Sequence, residues 1–60
     1  MDKEKMIQLL MREVEMDFSF DLRLGLIDRM QFNGIMKTEA EQLRERSYSE
    51  IERLFLRAAA

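Results

Sequence analysis

The side chains best suited to chemistry in this sequence are carboxylates: Glu13, Glu15, Asp17 and Asp21 fall within nine residues. On a helix Glu13, Asp17 and Asp21 stand at i, i+4 and i+8, a row of like charges that costs an isolated helix a few tenths of a kcal/mol per pair. Such a row suits docking against a basic surface, or weak oxygen ligation of a cation. The glycine and bidentate glutamate of an EF-hand loop are not at the required spacing. The blander role is a solvated face, with carboxylates favouring the amino-terminal turn of a helix that begins near Ser19. Glu13, Glu15, Asp17 and Asp21 are therefore expected to form an acidic partner-docking patch.

Catalysis has little else to draw on. With no histidine and no cysteine among 60 residues, the usual general base, the thiolate nucleophile and the softer metal ligands are missing. The three serines and single tyrosine show no nucleophile-elbow spacing, and two well-separated glycines, Gly25 and Gly34, cannot cradle a phosphate. The chain is expected to be non-enzymatic, with no cofactor and no metal. Arg44, Arg46, Arg53 and Arg57 form the one basic cluster, but Glu41, Glu45, Glu50 and Glu52 interleave with it. Mixed-sign surface pairing accounts for most of that pattern, whereas a phosphate-backbone role needs a net positive face.

These side chains must be positioned by elements legible in the apolar spacing. Ile7, Leu10, Met11, Val14 and Phe18 recur every three or four residues, which predicts an amphipathic helix with Asp2 as its N-cap. From Met16 to Leu26 the pattern becomes strict alternation, a strand signal. On a helix the same residues spread over more than half the circumference, as in a helix contacted from two sides. A strand would find no second alternating segment in the chain and could pair only with a second copy. The next residues favour the helix: Gly25 suits a left-handed C′ position, and Asp28 with Gln31 matches a capping box.

The predicted fold is thus an all-α helical hairpin within one small domain spanning residues 1–60. Helix one runs from about 3 to 24, either intact or loosened near 16–19, with a turn at Gly25 to Asp28. Helix two runs from 29 to 46 and continues or restarts to about 58. Phe32, Met36, Ala40, Leu43, Ile51, Leu54, Phe55 and Ala58 fall on one stripe of that second helix, with Ser47 in the gap. Asn33-Gly34, Thr38 with Glu41, and Ser47 to Glu50 are the places where it could break, the last most of all.

Composition argues that such a hairpin does not work alone. A chain this short buries only about 60% of the surface it exposes when unfolded, yet 47% of its residues are apolar and no disulfide is possible. Association is the remaining stabiliser. A homodimer is expected, two hairpins packed as a four-helix assembly around Val14, Phe18, Leu22, Ile27, Met36, Leu43, Ile51, Leu54 and Phe55. Six methionines and five aromatic residues would serve either a small core or an adaptable interface. The net charge of −2 disfavours nucleic acid, and no apolar run approaches a membrane span. Met1-Asp2-Lys3-Glu4-Lys5 lacks the form of a secretory signal, so a cytoplasmic setting is expected. The resulting reading is a small regulator or inhibitor that binds a larger protein.

One alternative comes from a partial resemblance. Phe20-Asp21-Leu22-Arg23-Leu24 resembles the short strand of ribbon-helix-helix repressors, and Arg46-Ser47-Tyr48-Ser49-Glu50-Ile51 resembles the opening of their second helix. The resemblance implies a dimer whose paired strands enter the major groove. Ser19, Asp21 and Arg23 would then face the bases, with Arg23 suited to guanine and Asp21 to a cytosine amino group.

Overall fold

The computed structural model describes residues 1–59 and is helical throughout, with three helices in the order α1 (Lys3–Arg23), α2 (Arg29–Glu45) and α3 (Tyr48–Ala59). Among the described residues there is no strand, and no helix is long and apolar enough to cross a membrane.

Local chemistry sets each boundary. The Lys5 N–H donates to the Asp2 carboxylate at 2.7 Å, opening α1. At its far end the Gly25 N–H reaches the Leu22 carbonyl and the Leu26 N–H reaches Asp21, while Gly25 takes φ +76°. This is the two-bond Schellman closure, with glycine at the one position where a side chain would be strained. A full capping box starts α2, because the Gln31 N–H donates to Asp28 while the Gln31 side chain accepts from the Asp28 N–H.

Residues 16–23 belong to α1 without interruption, so of the two alternatives near 16–19 the intact helix is the one present. It also removes the ribbon implied by the resemblance to repressors, since Phe20 to Arg23 are helical. Their backbone groups are satisfied within the helix, whereas a strand would have had no partner in the chain. The other resembling piece does open a helix, α3.

The break expected at Ser47 to Glu50 is present, and it divides the second half of the chain into α2 and α3. Arg46 is extended (φ −78°, ψ 153°), its N–H turns back to Leu43, and the Ser47 hydroxyl accepts the Glu50 N–H at 3.2 Å. A straight continuation would project α3's 12 residues about 18 Å into solvent. Turned back, α3 instead lies along the amino-terminal half of α1. The Tyr48 hydroxyl donates to the Met1 carbonyl at 2.7 Å, Ile51 joins Met6 and Ile7, and Leu54, Arg57 and Ala58 approach Leu10, Glu13 and Asp17. That order makes α3 parallel to α1, while α2 returns antiparallel to bring Arg44 beside Glu4 at 3.4 Å.

The closed core is small. Met6 and Ile7 are 2% exposed and Ile51 is fully covered, with Leu10, Met11, Leu43, Leu54 and Phe55 packed around them. Phe32 is buried separately on α2, with the Arg29 guanidinium 5.9 Å from its ring centroid. The chain exposes 4687 Å², whereas a compact monomer of 7.2 kDa exposes about 4,100 Å². Its radius of gyration is 12.4 Å, against about 10 Å for a compact chain of this length. The three helices alone do not close around their apolar surface.

Candidate functional site

The alternating run of residues 16–26 has a direct structural consequence. Every second residue on a helix turns by about 200°, so alternation places apolar side chains on opposite sides of α1. Phe18 and Leu22 are half-buried, whereas Met16 is 73% exposed, Phe20 59%, and Leu24 also lies open. Among the described residues, five of the eight exposed large apolar side chains, Met16, Phe20, Leu24, Leu26 and Met30, come from α1's second half, the turn and α2's first turn. Leu9 joins Met16 and Phe20 on the outer stripe of α1, half-buried.

Two recesses open on the side where α3 lies. The first, about 290 Å³, has a floor of Leu10, Val14, Leu43 and Leu54 and a rim of Glu13, Asp17 and Glu39 with Arg57. Three carboxylates facing one guanidinium leave that rim net negative. The second, about 550 Å³, lies between α1 and α2 at Phe18, Ile27, Gly34 and Ile35, and shares Glu39 with the first. Among the described residues no side chain of α3 lines it. A third recess of about 500 Å³ lies on the outer face of α1, between Met16 and Phe20 and lined also by Arg12, Glu15, Ser19 and Arg23.

The four acids expected as one patch are divided by the helix. Glu13 and Asp17 share the rim of the first recess, and Asp21 continues their row, half-buried. Glu15 points to the opposite side, beside Arg12 and Arg23. Among the described residues no three such carboxylates gather as metal ligands. Of the residues assigned to a core or interface, Ile51 is buried, and Val14, Phe18, Leu22, Ile27, Met36, Leu43, Leu54 and Phe55 are half-buried. Ile51, Leu43, Leu54 and Phe55 pack in the core shared by α1, α2 and α3, while Val14, Phe18 and Ile27 line the recesses beside it. Met6 is the central residue that sequence reading missed. It stands four residues before Leu10 and packs with Ile7 and Ile51, so the helical spacing did carry a sign of it.

The hydroxyl groups are engaged in structure. Ser47 caps α3 and donates to the Glu50 carboxylate at 3.4 Å, and Tyr48 is tied to Met1. The serine and carboxylate pair is thus a helix-capping arrangement, with the hydroxyl already accepting a backbone N–H. Arg46, Arg53 and Arg57 line a shallow surface recess with Glu50, while Arg44 faces Glu4 across the α1–α2 pair.

No family model, curated protein or solved structure matches this chain.

Proposed function

We propose that the chain is a small non-enzymatic protein-interaction module, a regulator or inhibitor that binds a larger protein and itself works as a homodimer. The observation that carries this reading is the surplus surface: about 560 Å² more than a compact chain of this mass exposes. It coincides with eight large apolar side chains left open among the described residues. Exposed large apolar side chains gathered on one region, as Met16, Phe20, Leu24, Leu26 and Met30 are, mark association sites. The recess rimmed by Glu13, Asp17 and Glu39 gives the protein partner its chemistry, an apolar protrusion flanked by basic side chains.

Affinity capture from the source cell tests the reading, with the chain carrying Asp17→Lys and Glu39→Lys as control. The expected result is one partner recovered in fixed ratio by the native chain and lost with the control, at unchanged helicity. Recovery of no partner above background by the native chain would count against a regulatory role.

A further inference from the structure

The outer face of α1 carries a symmetric pattern. Glu13, Met16, Phe20 and Arg23 are spaced three, four and three residues apart, which puts them on one stripe of the helix. All four are exposed; Met16, Phe20 and Arg23 line one recess with Arg12, Glu15 and Ser19, and Glu13 stands at the edge of the stripe, where it also borders the recess on the α3 side. The stripe is apolar in the middle, acidic at one end and basic at the other. Its spacing is mirrored about position 18, so that an antiparallel copy would set each acid opposite a base.

We propose that two copies of the chain pair through this face, with their α1 helices antiparallel and a two-fold axis level with Phe18. Met16 of each copy packs against Phe20 of the other, and Glu13 of each faces Arg23 of the other. The pairing rests on reading the chain as a dimeric interaction module and names the surface that forms the dimer. It also moves that surface away from Val14, Phe18 and Leu22, which are half-buried on the other side of α1.

Charge selects the orientation. Parallel copies would set Glu13 against Glu13 and Arg23 against Arg23, and like-charge juxtaposition is strongly unfavourable at an interface. Antiparallel copies turn both contacts into ion pairs, and among the described residues neither Glu13 nor Arg23 has an ion-pair partner within its own chain. The three-four-three spacing is the heptad seam that lets two helices cross at about 20° with interlocking side chains.

The test is charge reversal with mixing. Light scattering at micromolar concentration is expected to give the native chain a mass of twice 7.2 kDa. Glu13→Arg alone, or Arg23→Glu alone, creates two like-charge contacts in the dimer, so each is expected to weaken self-association about tenfold or more and run as a monomer. Mixed in equal amounts, the two variants again place opposite charges together at both ends, and the dimer mass should return. That recovery cannot come from chains that have lost their fold. A native dimer left intact by either single reversal, or variants that stay monomeric after mixing, would overturn this interface while leaving self-association in place. A native chain that runs as a monomer would overturn the dimer itself.

Discussion

The two glycines have opposite roles. Gly25 takes φ +76° with open space where a Cβ would stand, so Gly25→Ala meets no neighbour and its cost is backbone strain, about 1 to 2 kcal/mol. Gly34 lies inside α2 with equally open space. Gly34→Ala should therefore stabilise the chain by about 0.5 to 1 kcal/mol, as expected when alanine replaces glycine in a helix interior. Urea midpoints of the two variants should move in opposite directions, and a shift of the same sign would contradict the account of the α1–α2 turn. Ile51 is the other decisive residue. It is fully covered and joins α3 to Met6 and Ile7, so Ile51→Ala is expected to cost about 2 to 5 kcal/mol. In a core this small that should abolish cooperative unfolding as followed by circular dichroism.

At the level of elements, caps decide where helices stop. Asp28→Ala removes the acceptor of the box that starts α2, and a loss of about 1 kcal/mol is expected. Ser47→Ala removes the hydroxyl acceptor at the start of α3, with a cost of similar size. It also favours joining α2 and α3 into one rod. A Ser47→Ala chain that keeps its helical signal while Ile51, fully covered in the native chain, becomes solvent-accessible would show that Ser47 directs the reversal of the chain. Much of this level was legible from spacing, because Asp2, Gly25, Asp28 with Gln31, and Ser47 with Glu50 mark helix ends by short-range hydrogen bonds. The direction of α3 was not. Residues 29–58 form one apolar stripe if continuous, and turning α3 onto α1 depends on contacts between Ile51 and Met6, some 45 residues apart. The acidic patch had the same limitation. Glu15 is near Glu13 in sequence, but an interval of two places it on the far side of the helix. The alternation from Met16 to Leu26 is the instructive case: a strand pattern in sequence becomes a helix with two apolar faces in structure, one used within the chain and one left open.

For the molecule as a whole, ion pairs contribute little. Arg44–Glu4 and Arg46–Glu50 both lie about half exposed, and such pairs contribute less than about 1 kcal/mol. Stability must come from apolar burial, and a single chain leaves that burial incomplete. Closing it by association couples folding to concentration. The most direct measurement of this claim is the thermal midpoint of the native chain recorded across a wide range of micromolar concentrations, with the mass read by light scattering at each. A dimer of twice 7.2 kDa whose midpoint climbs steadily with concentration is the predicted result. A monomer that melts cooperatively at one concentration-independent temperature would contradict it, because the three helices would then suffice on their own.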